Sequence, residues 1–471
     1  MINENKNYEI NYTHYIENLY RPKENVDLNF LFENNKLPHN YSIPNRIDLT
    51  HLDVFSIDPE GCEDADDAFS IYKEKEVLYL AIHIADPTEY ISLKSKLWID
   101  IVDKVITHYP SNRPPIHMIP HQIMEKASLM DNYQGNIKAS ITILMNINEE
   151  TYYPDNIQLL FTKIKVNKKN ALSYKSACEK IYSNQVIYTG LMISNALQKI
   201  RGGKTIGIKL NELSQSYPNY INGIPYLYKS DEYEVKMKQM IAEFAILANS
   251  FVGEYLKLNL DGKGIFRTCE ARDLLSNMYN KSGNELLNEI ITNGIKAEYL
   301  SKNSSHDLVG MPEYSHFTSP IRRLSDCVCH YLLKYIYLKK YKKIDIPFSN
   351  EELNNLSNKC LHVTRNMKKI QYKDIKFRLI HTMYNMLLLT DYLTLTYYIT
   401  SYSGLFLNLI ICKINNHDIH LSYTMKTKNY KGLIDKSHNS VKISIVYCLK
   451  TYDQGCIPEL DNHVLRNNII L

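Results

Sequence analysis

Between two apolar, strand-like segments the chain crowds six carboxylates into residues 56–69: Asp58, Glu60, Glu63, Asp64, Asp66 and Asp67. Like charges at this density repel, and either full solvation or a cation relieves them. If the loop folds back between its flanking strands, Asp58, Asp64, Asp66 and Asp67 converge, and hard divalent ions such as magnesium take oxygen ligands of this kind. A metal site is therefore the first reading. A solvated acidic turn between strands is the plain alternative, and the residues alone leave both open. A calcium loop of the EF-hand type is set aside. Counted from Asp58, the sixth position is Glu63, where glycine makes the sharp turn, and the twelfth is Phe69, where a bidentate glutamate is required.

The surroundings of this loop read as a sheet. Residues 54–57 form one strand and 68–72 the next, followed by a polar turn at 73–76 and a strand over 77–84 apolar enough for burial on both faces. The acidic loop then sits at one sheet edge. A helix follows Asp86-Pro87, prolines at 110, 114 and 115 break the pattern, and residues 139–147 and 157–165 read as further strands. The middle is mostly helical. Over 237–258, Met237, Ile241, Phe244, Ala245, Ala248 and Val252 recur at helical spacing, which leaves Glu243 and Asn249 as either an exposed face or site residues. A helix over 351–389 carries Arg365, Lys368, Lys369, Lys373, Lys376 and Arg378, a solvated face or the lining of a polyanion channel. Beyond it, alternating runs at 397–400, 404–409, 419–423 and 441–446 describe an all-β appendage of small-barrel size. Residues 1–45, broken by Pro22, Pro38 and Pro44, read as an extension leaning on the main domain.

Composition excludes several classes. At 44% hydrophobic and 23% charged, the 471 residues are those of an ordinary globular protein, and a net charge of +4 calls for a local basic groove if the partner is a polyanion. Nine scattered cysteines show neither zinc spacing nor a disulfide framework, and Cys327-Val328-Cys329-His330 reads as core helix. The chain opens polar, and no run has signal-peptide or membrane-spanning length, so the cytoplasm or another reducing intracellular compartment is expected, without a membrane.

A second stretch supplies the counterpart of the carboxylates. Ser319 before Pro320 predicts a helix start with the hydroxyl as N-cap, and Ile321, Leu324, Val328, Tyr331, Leu332 and Tyr335 form its buried stripe. Arg322 and Arg323 then fall in the first turn, where cations oppose the helix dipole. A bound phosphate resolves the conflict, since helix N-termini and guanidinium forks both hold it; two exposed surface arginines are the alternative.

In order and separation, Arg46-Ile47-Asp48-Leu49-Thr50, Ile57-Asp58-Pro59, Asp64-Ala65-Asp66-Asp67-Ala68, His83-Ile84-Ala85-Asp86-Pro87 and His316-Phe317-Thr318-Ser319-Pro320-Ile321-Arg322-Arg323 resemble the RNB catalytic domain of the ribonuclease II/ribonuclease R family. The resemblance implies an α+β chain. Residues 46–390 would be a mixed sheet surrounded by helices, with an RNA channel, and residues 391–471 a small β-barrel-like, OB-type RNA-binding domain. It also implies a magnesium-dependent 3′ to 5′ exoribonuclease, with manganese as the alternative ion, releasing nucleoside 5′-monophosphates from single-stranded RNA. On the matching positions, Asp58 and Asp67 lead as metal ligands, Asp66 places a second ion or the attacking water, and Asp64 supports them. Arg322 clamps the scissile phosphate with Arg323 beside it, Tyr109 stacks on the terminal base, and Tyr174 and Glu243 lie around the ribose. Departures are Ile208 where a second stacking aromatic is expected, Lys368-Lys369 near a usual glutamate, and no room for the paired cold-shock domains, whose grip a protein partner would then supply. An RNA-binding relative without chemistry and a phosphohydrolase of small nucleotides are the rival readings. The presence of every acidic position and both arginines favours the active enzyme.

Overall fold

The computed structural model describes residues 20, 40–110, 114–132, 134–202, 205, 216–221, 224–281, 283–390, 392–426, 441–446 and 469–470. Ile208 and most of residues 1–39 and 447–471 lie outside them. The first sheet has five strands in the order β1-β6-β5-β4-β3, formed by β1 (Ile47–Asp48), β3 (Asp67–Glu74), β4 (Val77–Ala85), β5 (Ile137–Ile147) and β6 (Pro154–Lys165). β2 (Ser56–Asp58) pairs in parallel with β7 (Ala171–Ser173), and an isolated bridge from Phe55 to Phe69 joins it to β3. The acidic loop therefore does lie at a sheet edge. β3 and β4 form a hairpin whose turn residues, Lys75 at φ 46° and Glu76 at φ 65°, are both left-handed, so a charged pair fills the twist-matched turn usually given to Asn-Gly. β4 is buried through its C-terminal half, as its apolar run predicts.

Two antiparallel strand pairs and a set of helices complete the larger unit. β8 (Ser216–Ile221) pairs with β9 (Ile224–Lys229), and β10 (Lys263–Thr268) with β11 (Glu298–Lys302), both antiparallel. The four longest described helices are α1 (Gln185–Gly202), α2 (Glu232–Asn259), α3 (Leu324–Leu338) and α4 (Asn350–Leu389). α2 starts where Asp231 accepts from the Glu234 N–H, and it buries Met237, Phe244, Ala248 and Val252 against the main core. α4 starts with a capping box between Ser349 and Glu352.

The predicted start of α3 needs correction. Ser319 and Pro320 open a turn in which the N–H groups of Arg322 and Arg323 both reach the Ser319 carbonyl, and the helix begins only at Leu324. Arg323 is extended (φ −137°, ψ 129°) because it bridges to Ile106, which denies it a helical backbone. α3 is also buried nearly all round, so Cys327, Cys329 and His330 are core residues.

One ionic network runs through the main core. Lys334 of α3, fully buried, lies 2.9 Å from Asp86 and 3.0 Å from Glu89, and Arg46 contacts the same two carboxylates. Cations beside Asp86 hold its carboxyl well below the ordinary range although burial opposes this. Three distant segments, at 46, 86–89 and 334, are thereby fixed together.

β12 (Leu393–Tyr402), β13 (Phe406–Ile414), β14 (His417–Lys426), β15 (Val441–Val446) and β16 (Ile469–Ile470) form a second five-stranded sheet, order β14-β13-β12-β15-β16. Its core includes Leu393, Tyr397, Leu409 and Ile419, joined by Leu379 and Met383 from the end of α4. The chain is thus α+β with a smaller C-terminal β unit, as the sequence predicts, and α4 serves both cores. Among the described residues no helix is long and apolar enough to cross a membrane.

Candidate active site

β2 ends at Asp58, whose register partner is Ser173, so the parallel pairing sets Asp58 beside Tyr174. The chain then turns through Gly61, at φ 78°, where a side chain would be strained. The Leu129 N–H binds the Ala65 carbonyl and the Ser128 hydroxyl binds that of Glu63, pinning the acidic loop from behind. Asp67 begins β3. These constraints turn Asp58, Asp64, Asp66 and Asp67 into one cavity of about 590 Å³, also lined by Tyr109, Tyr174, Arg322 and Arg323.

Two carboxylates organise the arginines. Asp66, 4% exposed, accepts from the Ile321 N–H at 2.8 Å and from Arg322 Nε at 3.1 Å. Arg322 also donates to the Ser319 hydroxyl at 3.0 Å, yet its side chain stays 44% exposed. Asp326 accepts from the Ser319 N–H at 2.8 Å and takes both prongs of Arg323, at 3.0 and 2.9 Å. The expectation of two arginines in a helix's first turn is therefore revised. They precede the helix, Arg323 is neutralised by Asp326, and Arg322 alone presents a half-open guanidinium.

Asn249 is a residue whose role the periodicity of α2 left open. It is buried, accepts from the Phe317 N–H at 2.8 Å and donates to Tyr314 Oη at 3.1 Å and Thr318 Oγ1 at 3.3 Å. One turn on, a Cβ at Gly253 would lie 2.8 Å from the Tyr314 backbone nitrogen, so glycine permits the close approach of helix and loop. Asn249 and Gly253 together seat residues 314–318, which lead into Arg322. Lys238 is another cavity residue that the sequence reading passed over; its ammonium lies 5.4 Å from the Tyr174 ring centre and 2.8 Å from Glu234. Its position on the same side of α2 as Ile241, Ala242, Ala245 and Asn249 was the available signal.

Glu243 is not brought to the cavity. It is 1% exposed and takes a two-pronged contact from Arg201, whose guanidinium also donates to the Val309 carbonyl at 2.8 Å. The pair joins α1 to α2. Tyr109, by contrast, stands at the rim and donates to Asp64 at 3.1 Å.

Electrostatics separates the four aspartates. Burial, then the neighbouring Asp67, raises the Asp58 carboxyl to about 7. Burial raises Asp67 to about 6 although Arg322 and Arg323 pull it down. Burial also pushes Asp66 well up, against the opposing pull of Arg322. Asp58 and Asp67 thus form a partly buried carboxylate pair with no cation in direct contact among the described residues, which is the chemistry a divalent ion offsets. Among the described residues no three His, Cys, Asp or Glu side chains converge as a ready-made metal cage. Magnesium does not need one, because it keeps several waters and is commonly held by one or two carboxylates together with substrate phosphates. Asp58 and Asp67 fit that role, whereas both oxygens of Asp66 are already engaged.

Fold and cavity together define an α+β chain with a carboxylate-lined cleft faced by a single half-open arginine. The chain belongs to the RNB domain family, whose model matches residues 46–339. It is 28% identical over 357 residues to Exoribonuclease 2 of Buchnera aphidicola subsp. Cinara cedri, covering 65% of this chain and 52% of that protein. It is 27% identical to the Exosome complex exonuclease RRP44 of Mus musculus, covering 61% and 34% respectively. The chain therefore spans about half, or less, of the length of these relatives. Among solved structures it shares its fold with Mycoplasma genitalium RNase R in complex with ribose methylated single-stranded RNA, at TM-score 0.71 and 16% identity, over 93% of this chain and 73% of that one. Yeast Ssd1, a pseudonuclease, matches at TM-score 0.65 and 17% identity, over 87% and 54%.

Proposed function

We propose that this chain is a metal-dependent 3′ to 5′ exoribonuclease that hydrolyses single-stranded RNA to nucleoside 5′-monophosphates. The observation that carries this reading is the convergence, in one cleft, of Asp58, Asp64, Asp66 and Asp67 with Arg322, Tyr109 and Tyr174. Asp58 and Asp67 would hold magnesium, or manganese in its place. When bound, such an ion lowers the pKa of a water and offsets charge on the scissile phosphate. Arg322, oriented by Asp66 and Ser319, keeps its exposed N–H groups for a non-bridging phosphate oxygen, and its charge opposes the negative charge that grows there in the transition state. Tyr109 offers a ring face to a terminal base of any identity, and Tyr174 stands beside Asp58, where the last ribose would lie. Glu243 acts through Arg201 by fixing α1 to α2 rather than by touching RNA. Residues 46–390 would carry the chemistry and 391–471 would bind the strand, with a protein partner adding grip.

The second reading, an RNA-binding member without chemistry, draws on the fold likeness to a pseudonuclease and on Asp66 being held by Arg322. One experiment separates them. Single-stranded RNA labelled at either end, and matched DNA, are incubated with magnesium and the wild-type or Asp66→Asn chain. Monophosphate release from the 3′ end of RNA alone, lost in the variant and with chelator, supports the enzyme; RNA left intact by the wild type supports the second reading.

A further inference from the structure

Outside the cavity, two cations, Arg267 and Lys368, have no anionic partner among the described residues. Arg267 in β10 is 9% exposed, and its guanidinium carbon lies 4.6 Å from the centre of the Tyr299 ring. Among the described residues no carboxylate, carbonyl or hydroxyl accepts from that guanidinium. Lys368 projects from α4, which packs on β10 and β11, and it too has no anionic partner among the described residues. One turn before it, Arg365 pairs with Glu298 of β11, so the only nearby carboxylate of that strand is committed. Asp326 is likewise taken by Arg323.

Among the described residues, the remaining neighbours add no negative charge. Tyr299 Oη and His316 Nδ1 share a hydrogen bond of 2.7 Å, and burial, then Arg323 and Arg267, holds His316 well below the ordinary histidine range, hence neutral. Desolvation and the neighbouring Arg267 cation lower the Lys368 ammonium as well. A stacked guanidinium has five N–H donors along its edge, and stacking uses none of them. No nitrogen of Arg267 is both buried and unpaired, so its N–H edge stays open, and Lys368, exposed on the helix packed against the same strand, supplies the second cation that a bridging anion could use.

We propose that Arg267 and Lys368 form a phosphate subsite that holds a backbone phosphate of the RNA strand outside the catalytic cavity. A chain of contacts links it to the cavity: Arg267 stacks on Tyr299, Tyr299 bonds His316, and His316 lines the cleft. A strand whose 3′ end lies at Asp58 and Asp67 would pass His316 and present a phosphodiester to this pair. Lys368, a departure from the glutamate expected near there, thereby offers a cation to a phosphate. The inference rests on the RNA reading above.

The test is equilibrium binding of a fluorescent single-stranded RNA ten-mer to the full chain in chelator, measured across a salt series. For single strands, each phosphate contact contributes about 0.7 to the slope of log K against log salt. Lys368→Gln and, separately, Arg267→Gln are each expected to weaken binding several-fold and to flatten the slope by up to about 0.7. Lys75→Gln, in the hairpin turn at the far end of β3, serves as the surface-charge control and leaves the slope unchanged. Slopes equal to wild type in both subsite variants overturn the proposal. So does the case in which inorganic phosphate competes less well in the variants while the RNA slope is unaltered, because the pair then serves a free anion. A wild-type chain that binds no RNA overturns the exoribonuclease reading too, which distinguishes the two failures.

Discussion

Replacing Asn249 tests whether the loop leading to Arg322 is held from α2. Asn249→Ala leaves the N–H of Phe317, a fully buried residue, without an acceptor, which costs about 1–3 kcal/mol, and strips a donor from the Tyr314 and Thr318 hydroxyls. We expect a total of about 2–4 kcal/mol in urea unfolding monitored by far-ultraviolet circular dichroism. Turnover on single-stranded RNA should fall by about 10²-fold or less, because residues 314–318 lead directly to Arg322 and a displacement near 1 Å is enough for such a loss. Asn249→Asp is the control. It keeps the acceptor for Phe317, and both hydroxyls can rotate to donate, so it recovers part of the stability. Destabilisation below about 1 kcal/mol, or full destabilisation with kcat untouched, would refute the reasoning.

Gly253→Ala drives a Cβ into the Tyr314 backbone, which cannot yield as a side-chain tip would; we expect a loss of about 1–3 kcal/mol and reduced turnover, checked by the same two measurements. Lys334→Met leaves Asp86 and Glu89 with Arg46 as their remaining cation in a dry core, and should lower stability by about 3–5 kcal/mol; a loss under about 1 kcal/mol would mean that the network is dispensable. Asp58, at about 7, and Asp67, at about 6, keep protons that unfolded carboxyls release near pH ~4. Their contribution to metal-free stability therefore falls as pH rises from about 4 to about 7, and Asp58→Asn should flatten that part of the stability–pH curve. Added magnesium should oppose the fall, since it binds the deprotonated pair; an unchanged curve in either arm counts against the pair as the metal site.

What could be read along the chain was what depends on near neighbours. The apolar run of β4 and the 3.6-residue recurrence through Met237, Phe244, Ala248 and Val252 announced buried elements, because burial on a strand or helix leaves its period in the residues themselves. Density of like charge likewise marked Asp58 to Asp67 before any partner was known. The start of α3 was misplaced for the converse reason. Ser319-Pro320 carries a strong local helix signal, but Arg323 bridges to Ile106, more than two hundred residues away, and that pairing holds it extended.

Glu243 shows the same division most sharply. Motif position assigned it to RNA, and a buried guanidinium from Arg201, brought alongside by the packing of α1 on α2, took both its oxygens. The residue types thus settled which groups were available for chemistry: four clustered carboxylates, two arginines and aromatic rings. Packing settled their employment. Asp66 meets Arg322 across 256 residues of sequence, Asp326 neutralises Arg323, and Asn249 seats the loop between them. Charge and periodicity are properties of a segment, whereas a hydrogen-bond partner is a property of whatever the fold sets within about 3 Å.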